Sequence, residues 1–406
     1  MDKSFHIHNR ARLGALMEPN SAALIFSGNE LNRSADAYHL FAADRNFVYL
    51  TGIEQKQSIL LIKKGEEGTL SQQLYLLPRD LMAERWTGRR LSPEEAAEIS
   101  GIADIRSTED FEADFGALEF DKLYLDLFKN RESDYDRPAH LFAGAHPQLT
   151  MENLEPKLRK LRTIKQKCEI EALRKAEEMT KAGILAMMRA SRPGMYEYQY
   201  KAEFDRALGQ FSPAPAGFQS IISAGANNFC IHYDAYTGRA QDGDMVLNDV
   251  GAQWDGLIVD VSRGWPCNGK FTEKQRLLYE CALKTSNYLF SIIRPGMKMR
   301  DVDATIRSYN AKLLVQAGVM ASESEVGTYM WHGGAHHIGW DVHDMVEMPE
   351  VLAPGMVFCV DVGIYHEAWG IGFRLEDNCL VTEEGCENLS AAIPRTIEEI
   401  EAVMAK

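Results

Sequence analysis

The sequence predicts an α/β domain followed by an α+β domain built from two similar halves. Three observations carry this. Strand-like and helix-like segments alternate through the first third of the chain. A charged stretch and then a long amphipathic pattern change the organisation near residue 155. Beyond it, one order of elements occurs twice.

In the first part, Ala22-Ala23-Leu24-Ile25-Phe26 reads as a short buried strand that Gly28-Asn29 ends. Phe47-Val48-Tyr49-Leu50 and Ser58-Ile59-Leu60-Leu61-Ile62 read as further strands, and Gln73-Leu74-Tyr75-Leu76-Leu77 as another, closed by Pro78. Ser92-Pro93-Glu94-Glu95 is a helix start, with Pro in the first turn and acids at the positive end of the helix dipole. The charged stretch Glu155-Pro156-Lys157-Leu158-Arg159-Lys160-Leu161-Arg162 leads into a helix with Ile170, Leu173, Ala176 and Met179 on one stripe. Domains of residues 1–155 and 156–406 are therefore expected.

In the second part, a helix ends at Arg192-Pro193-Gly194-Met195. Another opens at Thr272, with Gln275 in the capping-box position, and ends at Arg294-Pro295-Gly296-Met297. Each tetrapeptide precedes a second helical stretch, a His-containing segment and an apolar strand ending Asp-Val-Gly, at Asp249-Val250-Gly251 and Asp361-Val362-Gly363. This order suggests two halves about a pseudo-dyad.

Composition narrows the partners. Lys plus Arg number 44 and Asp plus Glu 59, a net charge of −15. Acid surplus disfavours polyanions, so neither nucleic acid nor an anionic membrane is expected as a partner. No apolar run approaches the roughly 18 residues of a membrane helix, and Met1-Asp2-Lys3-Ser4-Phe5-His6 opens no apolar leader segment. The seven cysteines are scattered without a C-x-x-C pair. They read as reduced, mostly buried thiols of a cytoplasmic protein.

The chemistry gathers around the two Asp-Val-Gly strands. Asp249 is followed by the hairpin signal Asp255-Gly256 and then Leu257-Ile258-Val259-Asp260. Asp361 is followed, after a turn, by Gly372-Phe373-Arg374-Leu375-Glu376. Residue parity across a two-residue turn places Asp249 with Asp260, and Asp361 with Glu376, on shared faces. Acids facing each other within apolar strands need a compensating charge, since an unpaired buried carboxylate costs several kcal/mol. Four of the eleven histidines lie between His332 and His343. One imidazole with four carboxylates suits one or two borderline-hard cations. His337 and His366 read as structural. No H-E-x-x-H, G-x-S-x-G or G-x-x-x-x-G-K-[ST] is present, so zincin, serine-hydrolase and P-loop readings lack support.

These residues resemble the pita-bread metallopeptidases, and within them the Xaa-Pro aminopeptidases (aminopeptidase P), over nearly the whole chain. Asp249-Val250-Gly251 with Asp260-Val261-Ser262-Arg263 resembles the family's two Asp ligands, His336 its His ligand, and Glu376 in Arg374-Leu375-Glu376-Asp377 its last Glu ligand. His343, and His232 in Ile231-His232-Tyr233, match substrate-contacting histidines. Asn32-Arg33-Ser34-Ala35-Asp36, Asn46-Phe47-Val48-Tyr49-Leu50-Thr51-Gly52 and Glu84-Arg85-Trp86-Thr87-Gly88-Arg89-Arg90 resemble the creatinase-like N-terminal domain.

The resemblance implies a creatinase-like α/β domain ahead of a pita-bread domain, and an aminopeptidase removing an N-terminal residue that precedes proline. It implies two divalent ions, with Asp249 on one and His336 on the other. Asp260 and Glu376 bridge them, and Asp361 is the fifth ligand and proton acceptor. Mn²⁺ leads because four of the five ligands are carboxylates; Co²⁺, Zn²⁺ and Fe²⁺ are also compatible. His343 and His232 orient substrate and stabilise the tetrahedral intermediate. Trp86 stands where relatives reach a neighbouring subunit's site, which implies a homo-oligomer, dimer or tetramer.

Three departures stand out. Asp361-Val362-Gly363 replaces the family's usual Glu-Pro-Gly, one methylene shorter at the ligand. Gly264 replaces a usual Thr. Met345-Val346-Glu347-Met348-Pro349 holds no Arg where dipeptide-cleaving relatives grip the substrate's carboxylate. Two other functions fit the same architecture: a creatinase-like hydrolase of a small C–N-bonded metabolite, which works without the metal site, and a non-catalytic binding module, which loses ligands.

Overall fold

The computed structural model describes residues 1–127, 137–348 and 350–405. The chain divides into two units, Met1–Arg162 and Thr163–Lys406, so the charged helix Glu155–Arg162 belongs to the first.

The strands of the first unit are β1 (Ser21–Phe26), β2 (Asn32–Ser34), β3 (Ala37–Tyr38), β4 (Ile59–Lys64), β5 (Leu70–Leu76), β6 (Asp104–Ser107), β7 (Lys122–Leu125) and β8 (Met151–Asn153). Six form one mixed sheet in the order β6-β5-β4-β1-β7-β8, with β1 antiparallel to β4 and parallel to β7; β2 and β3 pair separately. Leu24, Leu61, Tyr75, Phe111, Phe115 and Phe142 pack as its core. The helix Pro93–Ser100 starts where its sequence predicts, and Ser92 caps it in a full capping box.

One expectation fails here. Residues 47–50 are not a strand but lie in the helix Arg45–Thr51. The Asp44 carboxylate accepts from the amides of Asn46 and Phe47, and Gly52, at φ 71°, ends the helix. Every residue from Asn46 to Thr51 is buried. A short helix buried all round shows neither apolar period, so its caps decide the structure.

The second unit opens with the helices Lys167–Ala190 and Glu197–Leu208. Then come β9 (Ile221–Ala224), β10 (Met245–Val250), β11 (Gln253–Trp254), β12 (Leu257–Ile258) and β13 (Val261–Pro266). The helices Glu273–Ile292 and Met299–Gln316 begin the second half. They lead to β14 (Val357–His366), β15 (Ile371–Val381), β16 (Cys386–Asn388) and the helix Ile397–Met404. The sheets run β13-β10-β9 and β14-β15-β16, and β15 packs against β10 and β13.

The internal repeat is physical. Gly194 and Gly296 take φ of 85° and 88° after their helices, a conformation that favours glycine. Their amides donate to the carbonyls of Ala240 (2.7 Å) and Leu352 (2.8 Å), whose own amides donate back to Met195 and Met297. Each turn thereby ties a helix end to the segment leading into β10 or β14. Thr272 and Gln275 form the expected capping box.

Candidate metal centre

Two hairpins build the site. In β14–β15, Asp361 stands directly opposite Glu376, with Cys359 opposite Asn378 and Gly363 opposite Arg374. The connection is four residues rather than two, and an even loop preserves the parity that put Asp361 and Glu376 together. In the other hairpin, Asp255 and Gly256 take φ of 49° and 85°, both positive as a type I′ turn requires. There Asp249 pairs with Ser262, and Asp260 precedes β13. The two aspartates therefore lie diagonally on one face rather than directly opposed. Gly251 makes this crossing possible: a Cβ there would sit 1.6 Å from the Val259 carbonyl oxygen.

The segment carrying His336 runs along β14. Its Gly334 and His336 carbonyls accept from the amides of Asp361 and Cys359, each at 2.8 Å. A Cβ on Gly334 would stand 2.6 Å from the Asp361 carbonyl oxygen, so only glycine permits this approach. His336 Nε2 consequently lies 3.7 Å from Asp260 Oδ2 and 3.6 Å from Glu376 Oε1. Its Nδ1 is 3.3 Å from the His337 carbonyl oxygen. A proton on Nδ1 leaves the Nε2 lone pair facing the acids. Asp260, His336, Cys359 and Glu376 each offer one donor atom, and these four atoms all lie within 4.8 Å of one another. Asp249 and Asp361 flank this group. Asp249 Oδ2 accepts from Arg374 at 3.0 Å, and Asp361 Oδ2 lies 3.3 Å from His332 Nδ1.

The electrostatics call for a cation. Arg374 pairs with Asp249 and its charge also acts on Asp361, whereas Asp260 faces the charges of Asp249, Glu376 and Asp361. Burial first, and then the charges of Asp249 and Glu376, push the Asp260 carboxyl well above the usual range. Burial and Glu376 do the same to Asp361. His336 is pulled down by burial, yet its hydrogen bond with Glu376 and that carboxylate's charge raise it on balance. Among the described residues, Asp249 Oδ1, Asp260 Oδ1 and Asp361 Oδ1 are buried without a hydrogen-bond partner. Orphaned carboxylate oxygens at this density are unfavourable unless a cation takes their lone pairs. The residues present fit divalent ions.

An outer layer holds these groups in place. Ser262 donates to Glu376 Oε2 at 2.8 Å, and Arg263 donates to the Glu376 carbonyl at 2.7 Å. Arg263 is fully buried and also pairs with Asp377 at 2.7 Å. The Asn378 side chain clamps the Asp260 peptide, accepting from its amide at 3.1 Å and donating to its carbonyl. Gly264 has a local cause: the Phe373 Cβ lies 2.6 Å from where its own would stand, so no Thr fits.

The histidines divide. The His343 ring stacks on His336 with centroids 3.9 Å apart. Burial, with the charges of His336 and His232, takes His343 down to about 4, so it is neutral at pH 7. His232 and His343 each keep a solvent-exposed edge. His366 accepts from the Trp369 amide in the β14–β15 turn and stacks on its ring, while His337 is buried behind His336. Of residues 345–349, Pro349 lies outside the described residues.

Sequence reasoning missed Cys359, His332, Tyr365 and the pairing of Arg374. Tyr365 Oη links Arg374 (3.0 Å) to His332 Nε2 (2.9 Å). The signal was present for three of them. Cys359, Asp361 and Tyr365 alternate along one face of β14, and Arg374 and Glu376 along the facing strand. His332 carries no such pattern.

Comparison with known proteins identifies the family. The family model for metallopeptidase family M24 matches residues 171–383, and that for the aminopeptidase P N-terminal domain matches residues 6–124. The Xaa-Pro aminopeptidase of Escherichia coli strain K12 is 30% identical over 97% of this chain and 96% of its own length. That of Haemophilus influenzae is 31% identical with the same coverage. Among solved structures, a Bacillus anthracis protein described as an aminopeptidase P superposes with a TM-score of 0.95 at 33% identity, covering all of this chain and 98% of that one. Escherichia coli aminopeptidase P with the inhibitor Pro-Leu gives 0.90 at 30%, again with 100% and 98% covered. A domain of the aminopeptidase P N-terminal type thus precedes a pita-bread domain, and the chain belongs to metallopeptidase family M24.

Proposed function

We propose that this protein is a metal-dependent aminopeptidase that hydrolyses the N-terminal Xaa-Pro bond of peptides, with two divalent ions held by Asp249, Asp260, His336, Asp361 and Glu376. The observation that carries this is the set of three buried, orphaned carboxylate oxygens beside the His336 imidazole. When bound, such ions lower the pKa of water and polarise the scissile carbonyl. Asp260 and Glu376, nearest His336, would hold the ions beside the imidazole, and Asp249 is held in place by Arg374. Asp361, at the flank, takes the proton that the attacking water gives up. Neutral His343 donates one N–H to the oxygen on which charge develops, and His232 beside it orients the peptide.

Manganese is the first choice of metal on the carboxylate count; an Escherichia coli aminopeptidase P has been solved with zinc substituted. A homo-oligomer, dimer or tetramer, is the reading that the helix Leu81–Thr87 supports, since Leu81, Met82 and Trp86 are 73, 62 and 86% exposed. No described helix is long and apolar enough to cross a membrane. A cytoplasmic peptide-processing role with no nucleic-acid partner fits the acidic charge.

The test is metal content by elemental analysis, followed by hydrolysis of Xaa-Pro-Yaa peptides with added Mn²⁺. Two ions per chain and proline-dependent cleavage are expected. Asp260→Asn is expected to lower both metal content and rate, the rate by about 100-fold or more, since even outer-layer partners of metal ligands are worth 10–100-fold. Full metal loading without cleavage of any such peptide would remove the peptidase assignment and leave the fold.

A further inference from the structure

We infer that Cys359 is a metal ligand: its sulfur joins Asp260, His336 and Glu376 around the ion on the His336 side. This rests on the metallopeptidase reading above and adds a thiolate to it.

The argument begins with position. Cys359 lies two residues before Asp361 on β14, so both side chains leave the same face of the strand. Cys359 stands opposite Asn378, the residue that clamps Asp260, while Asp361 stands opposite Glu376. The His336 carbonyl accepts the Cys359 amide at 2.8 Å, which brings the imidazole alongside this end of the strand. Cys359 Sγ therefore falls among the Asp260, His336 and Glu376 donor atoms, all within 4.8 Å of one another, and the Asp361 carboxylate lies outside that group. Asp260, 4% exposed, also has a buried carboxylate oxygen without a hydrogen-bond partner. Both features call for a cation: a compact N/O/S donor set, and a buried carboxylate oxygen left without a hydrogen-bond partner.

The chemistry fits. A buried cluster of one imidazole, two carboxylates and one thiol is a four-donor set that borderline divalent ions accept. As the sulfur–metal bond forms, the thiol proton passes to solvent and the thiolate charge is neutralised by the ion. Asp361, the shortened acid, keeps its place at the flank beside His332. A thiolate also changes selectivity. Soft sulfur favours Zn²⁺, Co²⁺ and Fe²⁺ over Mn²⁺, against the preference that the carboxylates alone suggest.

The experiment uses the full chain loaded with Co²⁺, with metal stoichiometry measured alongside near-ultraviolet absorption. Sulfur-to-cobalt charge-transfer absorption in the unaltered protein, absent in Cys359→Thr that still binds cobalt, is the expected result. Zn²⁺ affinity in that variant should fall by about tenfold or more relative to Mn²⁺ affinity. Should Cys359→Thr not fold, X-ray absorption of the zinc-loaded native chain decides the question, since a bound thiolate gives a sulfur scatterer at about 2.3 Å. Stoichiometric cobalt without the charge-transfer band, or zinc without sulfur, overturns the Cys359 assignment and leaves the metallopeptidase intact. Failure to bind either ion overturns the metal reading itself.

Discussion

Glu177 offers a direct measurement on the scaffold behind the site. It lies in the helix Lys167–Ala190 and is 5% exposed. Its Oε1 accepts from Ser390 Oγ at 2.8 Å. That hydroxyl accepts the Asn378 amide at 2.9 Å, and Asn378 holds the Asp260 peptide. Burial, which the Ser390 hydrogen bond only partly offsets, pushes the Glu177 carboxyl from 4.5 up to about 8. Between those values the folded chain carries a proton that the unfolded chain has lost. Its contribution is fully present below pH 4.5 and declines as pH rises, by about 1.4 kcal/mol per unit until the folded pKa is passed. From pH 5 to 7.5 this amounts to about 3 kcal/mol. In Glu177→Gln the amide oxygen keeps the Ser390 hydrogen bond, and the titration disappears. Urea unfolding of both proteins at the two pH values, with the same metal content, isolates the effect. The native chain should lose about 3 kcal/mol more than the variant on going to pH 7.5. Equal pH dependence of the two would refute a protonated buried carboxyl at this position.

Two further outcomes follow from the geometry. Gly251→Ala places a Cβ against the Val259 carbonyl, and since both are backbone atoms the crossing between Asp249 and Asp260 must shift. Thermal melts should show destabilisation of at least about 1–3 kcal/mol, and elemental analysis should show lost metal; a variant with native stability and metal content would show that the crossing is not tight. Asp377→Asn removes the charge facing buried Arg263 and its neighbour Arg395. Breaking a buried pair from one side costs about 3–5 kcal/mol, so urea midpoints should fall clearly, and metal affinity with them, because Arg263 also holds the Glu376 carbonyl.

Local chemistry was legible in the residues. Thr272 with Gln275, and Pro93 with the acids Glu94 and Glu95, announce their helices because a helix start needs only a few consecutive positions. Asp255-Gly256 announces its turn because both positions need positive φ. Asp361 and Glu376 share a face because strand parity survives any even loop. Tertiary packing had to settle the rest. Residues 47–50 became helical because the Asp44 and Gly52 caps and complete burial outweighed an apolar run with no period. Arg374 reached Asp249, and Cys359 entered the donor group, through β15 lying against β10 and through the close passage at Gly334. Periodicity along a chain says which face a side chain leaves from; which faces then meet depends on contacts between residues a hundred or more positions apart, and no local pattern encodes those distances.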